Sequence, residues 1–171
     1  RQRDIARIVP GAPGVTTFVT AGRLSPEKNH ARLIDAFAKV HRDEPATRLI
    51  ILGGGPLRQH LEQKVASLGL AGSILLAGQV TNPFAIIARS DCFVLSSDHE
   101  GQPMVILEAR ILGRPIVTTD FSSVRGAVDE NTGLIVPKSV DGLAAGMQAL
   151  LRGEVPSQPF DADAYTADAM R

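Results

Sequence analysis

TRLIILGGGPLRQHLEQKVASLGLAGSILLAG, residues 47–78, holds two apolar runs of strand length around one amphipathic segment, with glycines at each change of rhythm. The runs TRLIIL and SILLAG are almost continuously apolar rather than alternating, the pattern of strands buried on both faces. Two such strands lying parallel need a crossover connection, and PLRQHLEQKVASLG has the length and polarity of a crossover helix. The stretch therefore reads as a β-α-β unit.

The same rhythm extends in both directions. TTFVTAG precedes PEKNHARLIDAFAKVHR on one side, and NPFAIIARS leads to DCFVLS on the other. PMVILEARILG, RPIVTTD, SSVRGAVDE, GLIVP and VDGLAAGMQALLRG continue it to the end. About six strands alternating with helices predict an α/β fold, a Rossmann-like doubly wound parallel sheet with helices on both faces. The folded region is expected at 15–153. The flanks, 1–14 and 154–171, are rich in Pro, Gly, Asp and Ala and read as connections toward other parts of a protein, the second as a tail or the start of a final helix.

Length and composition fit one domain. The 171 residues are 44% hydrophobic and 21% charged, and 18 basic residues balance 18 acidic ones. That balance points away from a nucleic-acid surface. No apolar run approaches the roughly 18 residues needed to span a bilayer, and RQRDIARIV lacks a signal-peptide core, so a cytoplasmic address is expected. The single Cys92 lies inside DCFVL, where a buried thiol acts as a small hydrophobe; it lacks the spacing of a metal site.

In a sheet of this class ligands bind beyond the carboxyl ends of the strands, where strand order reverses. The post-strand loops are therefore the places to look. In AGRLSPEKNH, Ser25 and Pro26 have the types of an N-cap and first helical residue, which would put Lys28 in an opening helical turn. With Arg23 it can surround a phosphate, one as a directed fork and one as a point charge. Two solvated surface cations are the alternative.

LGGGPL is not a dinucleotide fingerprint. A G-x-G-x-x-G match would need glycine where Arg58 stands, and it would come after the first strand rather than the second. Gly53 to Gly55 instead permit a tight turn and close backbone approach. In AGQVTN, Gly78 comes after a strand and could open backbone groups to a flat ligand. No P-loop is present.

SSDHEGQPMVILE is the most informative loop. Pro103 suits a helix start, which leaves Glu100, Gly101 and Gln102 before it and Glu108 about a turn and a half inside. Met104, Val105, Ile111 and Leu112 occupy the helical positions that could have paired Glu108. A carboxylate so placed either points to water or is satisfied from outside the helix, and paired hydroxyls such as those of a ribose would suit it. Ser96, Ser97, Asp98 and His99 invite a hydrolase reading, but adjacency in one loop and the missing G-x-S-x-G elbow argue against it. His30, His41 and His60 fall on helical segments, where solvated or partly packed imidazoles are expected.

Together, GRLSPEKN, LGGGPL, LAGQV, SSDHEGQPMVILEA, GRPIVTTD and TGLIVP resemble the nucleotide-sugar-binding C-terminal domain of retaining glycosyltransferases of family four, one half of a GT-B enzyme. The likeness runs from about Phe18 to Leu151, and its most specific element is the E-x7-E spacing of Glu100 and Glu108. By this resemblance Arg23 and Lys28 hold the donor diphosphate and stabilise its departure, Glu108 holds the ribose, and Glu100 approaches the sugar and leaving phosphate in a catalytic but not nucleophilic role. Gly101, Gln102 and Pro103 would contact the sugar or phosphate, Gln102 replacing the usual aromatic. Gly78, Gln79 and Val80 would hold the base, with Gly22 and Gly53 completing the donor site.

The resemblance further implies a hexosyltransferase that needs no metal or cofactor and works on a glycan such as a bacterial cell-envelope polymer. Its partners would be a nucleotide-sugar donor and an N-terminal acceptor domain, to which 1–14 would be the linker. Any peripheral membrane attachment would fall to that half. This half alone is expected to bind donor without efficient transfer. A nucleotide-sugar epimerase or phosphorylase of GT-B architecture, or a non-catalytic nucleotide- or carbohydrate-binding module, are the alternatives.

Overall fold

The computed structural model describes residues 13–101 and 103–158. The expected linker and tail fall largely outside the described residues, as does Gln102. Six strands form one wholly parallel sheet: β1 (Thr16–Ala21), β2 (Thr47–Leu52), β3 (Ile74–Gly78), β4 (Cys92–Leu95), β5 (Ile116–Thr119) and β6 (Leu134–Val136). Their spatial order is β3-β2-β1-β4-β5-β6. The direction of winding thus reverses between β1 and β4, and the connections leaving those two strands part to opposite sides.

Among the described residues five α-helices flank the sheet: α1 (His30–Asp43), α2 (Arg58–Ser67), α3 (Pro83–Arg89), α4 (Met104–Ile111) and α5 (Val140–Leu151). Consecutive strand residues point to opposite faces, so the doubly buried runs feed two cores. Phe18, Leu49, Ile51, Cys92 and Val94 pack with Leu33, Phe37, Leu61, Leu143 and Met147 of α1, α2 and α5. On the other face Val19, Ile50, Phe93 and Leu95 meet Ile86 and Ile87 of α3 and Ile106 and Ala109 of α4. Cys92 is completely buried, and burial pushes its thiol pKa far up, consistent with a packing role. Among the described residues no helix is long and apolar enough to cross a membrane.

Two expected helical features differ. SSVRGAVDE carries only a 3-10 turn, Val124–Gly126, because Phe121, Val124, Ala127 and Val128 already reach the second core from that turn. Lys28 is not in the first turn of α1. Pro26–Lys28 form a separate 3-10 turn, and the chain breaks at Asn29, whose φ of 48° is the left-handed conformation that asparagine tolerates. Asn29, not Ser25, is the N-cap of α1, its side-chain oxygen accepting from the Arg32 N–H at 3.2 Å.

Candidate functional site

Two adjoining regions sit beyond the carboxyl ends of the strands. The first is a cleft of about 420 Å³ across the ends of β1, β2 and β3. It gathers Gly22, Arg23, Gly53, Gln79 and Val80 from the residues expected at a site, and adds Ala21, Leu52, Gly54 and Pro83. Arg23 is exposed, and no hydrogen bond or ion pair engages its side chain among the described residues.

The glycines shape this cleft by steric necessity. Gly53 has φ 128°, and a Cβ there would stand 2.1 Å from the Gly22 carbonyl oxygen. Its N–H donates to Gly78 O at 2.8 Å, while Leu24 N donates to Gly54 O at 3.0 Å, so three strand ends close on one another through backbone alone. Gly78 serves that closure rather than lining the cleft. The Arg58 guanidinium, where a fingerprint would have had glycine, donates to Leu76 O at 3.0 Å and pairs with Glu62.

The second region lies at the reversal between β1 and β4. Lys28 Nζ donates to Glu100 Oε1 at 2.5 Å, and Ser97 Oγ donates to the same oxygen at 2.7 Å. The Glu100 side chain is only 8% exposed and that of Lys28 22%, so the pair is partly withdrawn from water. The residues assigned by resemblance to the donor diphosphate and to the sugar with its leaving phosphate are thus partners in the free chain. The Glu100 carbonyl accepts from Ser123 Oγ at 2.8 Å, and Thr119 Oγ1 donates to Ser97 O at 2.6 Å, tying the loop to β5 and to the 3-10 turn beyond it.

The rest of that loop faces the β1 connection. Asp98 accepts from Arg32 Nη1 at 2.6 Å and from Asn29 Nδ2 at 3.1 Å. Partial burial opposes its ionisation, but those hydrogen bonds and the positive charge of Arg32 and Lys138 outweigh it and lower its pKa. Ser96 Oγ donates to Lys28 O at 2.8 Å, and His99 is exposed. No hydrogen bond links Ser96, Ser97, Asp98 and His99 as a hydrolase triad would require.

Glu108 is half-buried on α4, with no hydrogen bond or ion pair to its side chain among the described residues. It does not line the cleft. Gly101 is exposed and Pro103 half-buried at the N-cap of α4, where no side chain caps the helix. The Ile106 N–H turns back to Pro103 O at 3.1 Å, which leaves those of Met104 and Val105 for an outside acceptor among the described residues.

The histidines separate into three cases. His60 is exposed, and His41 stacks on Phe37 while its two ring nitrogens contact Thr47 Oγ1 and Ser73 Oγ at 2.9 and 3.1 Å. His30 departs from the solvated or partly packed expectation: it is 3% exposed and its Nδ1 has no hydrogen-bond partner among the described residues. Burial, with a smaller contribution from the Lys28 charge, lowers its pKa to about 4. Arg32, Asn29 and Ser123 escaped sequence reasoning, since nothing local marks a partner lying tens of residues away, and Ser97 entered it only in the hydrolase reading.

A family profile described as "Glycosyl transferases group 1" matches residues 15–153. The chain belongs to the group 1 glycosyltransferases. It is 39% identical over 103 residues to an uncharacterized glycosyltransferase of Methanocaldococcus jannaschii, covering 60% of this chain and 25% of that one. It is 31% identical over 140 residues to the N-acetylgalactosamine-N,N'-diacetylbacillosaminyl-diphospho-undecaprenol 4-alpha-N-acetylgalactosaminyltransferase of Campylobacter jejuni, covering 80% of this chain and 38% of that one. The chain spans only 25%, 16% and 38% of the length of the first three curated relatives.

Among solved structures, Anabaena HepE in complex with UDP superposes with a TM-score of 0.77 at 23% identity, over 88% of this chain and 42% of that one. The C-terminal domain of a group 1 family protein, LpcC, from Francisella tularensis does so at 0.72 and 25% identity, over 88% of this chain and 81% of that one. The doubly wound fold expected from the alternating runs is thus that of the GT-B glycosyltransferases.

Proposed function

We propose that this chain is the donor-binding half of a retaining glycosyltransferase, holding a nucleoside diphosphate sugar at the β1/β4 reversal and transferring the sugar to an acceptor bound by an N-terminal domain. The observation that carries the reading is the Arg23 guanidinium at the cleft, without a hydrogen bond or ion pair among the described residues, in the same post-β1 connection as Lys28. Two cations, one without an internal partner among the described residues, lie in the connection leaving β1 beside the position where strand order reverses and ligands bind. UDP in the Anabaena structure supports a uridine donor.

In this reading the base enters the cleft between Gly22, Gly53, Gln79 and Val80, and the ribose lies outside it on the α4 side. The diphosphate reaches Arg23 and Lys28 and the open N-terminus of α4 beyond Gly101. Lys28 exchanges the Glu100 carboxylate for a phosphate oxygen, and Glu100, still held by Ser97, turns to the sugar hydroxyls. Glu108, which has no partner of its own among the described residues, accepts from the ribose hydroxyls. As the glycosidic bond breaks, negative charge grows on the leaving diphosphate, and the fixed cations stabilise it without a metal. The Campylobacter relative, named for a saccharide on diphospho-undecaprenol, supports a glycan carried on a lipid diphosphate as acceptor.

Calorimetric titration of this chain with UDP, GDP and ADP and their sugars tests the assignment. Each of Lys28→Ala and Glu108→Ala should weaken the best binder by about 10-fold or more, the worth of a hydrogen bond to a charged group. Undiminished affinity in both variants would refute the site. Efficient transfer of sugar by this chain alone would refute the division of labour.

A further inference from the structure

We propose that Asp98 is a positioning residue whose three hydrogen bonds hold the β1 connection against the β4 loop and so set where the Lys28 ammonium stands. The inference rests on the donor-site reading of Lys28. Lysine carries a long flexible stem and offers a point charge with no directional fork, so its placement depends on how firmly its backbone is held.

The backbone around Lys28 is held from one side by residues 96–98. Ser96 Oγ donates to Lys28 O at 2.8 Å, and the Asp98 N–H donates to Glu27 O at 2.9 Å. Asp98 Oδ2 accepts from Asn29 Nδ2 and its Oδ1 from Arg32 Nη1. Residues 27, 28 and 29 are thus each bonded across the reversal, and Asp98 makes three of the four bonds when Arg32 is included. Both of its carboxylate oxygens are engaged by these partners, which distinguishes it from a ligand-binding carboxylate.

The chemistry at position 98 is narrowly specified. Asn29 must present its oxygen to the Arg32 N–H to cap α1, which turns its NH₂ group toward Asp98. Arg32 presents a second donor. Residue 98 must therefore accept at both side-chain atoms, which a carboxylate does and an amide cannot. Asp98→Asn is nearly isosteric and breaks the arrangement with little change in shape.

A merely structural ion pair would lower stability without singling out Lys28, so the test reads Lys28 directly. Trace acetylation with acetic anhydride, combined with mass spectrometry, gives the reactivity of Lys28 relative to Lys64, whose side chain is similarly exposed at 25%. In Asp98→Asn the Lys28 rate should rise about 3-fold or more as its contact with Glu100 loosens, a change equal to losing a modest hydrogen bond. An unchanged ratio overturns the proposal.

A second arm measures UDP affinity in a double-mutant cycle. Asp98→Asn should weaken binding about 5-fold with Lys28 present and less than about 2-fold in the Lys28→Ala background, as coupled residues do. Equal losses in both backgrounds overturn the proposal. A wild-type chain that binds neither UDP, GDP nor ADP overturns the donor reading instead, while the acetylation ratio still decides whether Asp98 positions Lys28.

Discussion

Replacing His30 by leucine should flatten the acid sensitivity of this domain. The imidazole is 3% exposed at the start of α1, its Nδ1 has no hydrogen-bond partner among the described residues, and burial reinforced by Lys28 brings its pKa from 6.5 to about 4. The folded chain therefore keeps a neutral ring in a range where the unfolded chain takes up a proton. Stability is unaffected by this group above pH 6.5, falls as pH drops from 6.5 toward 4, and falls no further below that. A displacement of this size costs about 3 kcal/mol at the acid end of the window, a large part of the roughly 5–15 kcal/mol that holds a domain together.

The carboxylates with lowered pKa values, Glu27, Asp98 and Asp141, lose their stabilising contribution from about pH 4.5 downward in both proteins alike, so the difference between wild type and variant isolates the histidine. Urea unfolding at about pH 7, 6, 5 and 4.5 measures it, monitored by far-ultraviolet circular dichroism because the chain has no tryptophan. At neutral pH, His30→Leu should lie within about 1.5 kcal/mol of wild type, the range for a swap of similar volume. The wild type should then fall toward and below the variant with acid. Parallel losses in the two proteins would refute the reasoning.

Two further substitutions test the packing that frames the cleft. Gly53→Ala should cost about 2–4 kcal/mol in denaturant unfolding, because it joins an unfavourable positive φ to a Cβ only 2.1 Å from the Gly22 carbonyl oxygen; a midpoint equal to wild type would show that the strand ends can separate freely. Gly146→Ala places a Cβ 2.5 Å from Val117 Cγ1 and 3.1 Å from Val136 Cγ1. Despite gaining about 1 kcal/mol of helix propensity it should lower stability by about 1 kcal/mol, with Val117→Ala in the same chain recovering part of the loss.

Much of this architecture is visible in the order of residues. Runs such as LIIL and CFVL carry no polar alternation, so both faces must be covered, and helices of crossover length stand between them. Gly53 to Gly55 announce a close backbone approach because few other residues could take the path adopted there. The E-x7-E spacing across Pro103 places one carboxylate before α4 and one within it, as the folded chain does.

Local reading failed where two conformations share one signal. Ser25-Pro26 begins a 3-10 turn as well as it begins an α-helix, and only the left-handed Asn29 separates the Lys28 turn from α1. SSVRGAVDE has helical apolar spacing, yet a single turn already delivers its apolar side chains to the core. His30 has the sequence context of a helix-surface imidazole, because burial depends on what packs over α1.

The sequence by itself determined the alternation of strands and helices, the doubly buried sheet and the residue types gathered after its strands, since periodicity and glycine geometry are local properties. Only the tertiary structure decided that Lys28 rests on Glu100, that Asp98 reaches across to Asn29 and Arg32, and that Arg23 is left without an internal partner among the described residues. Those pairings join positions 66 to 72 residues apart in the chain. They exist because β1 and β4 are neighbours at the reversal of the sheet, which brings their carboxyl ends within hydrogen-bonding distance.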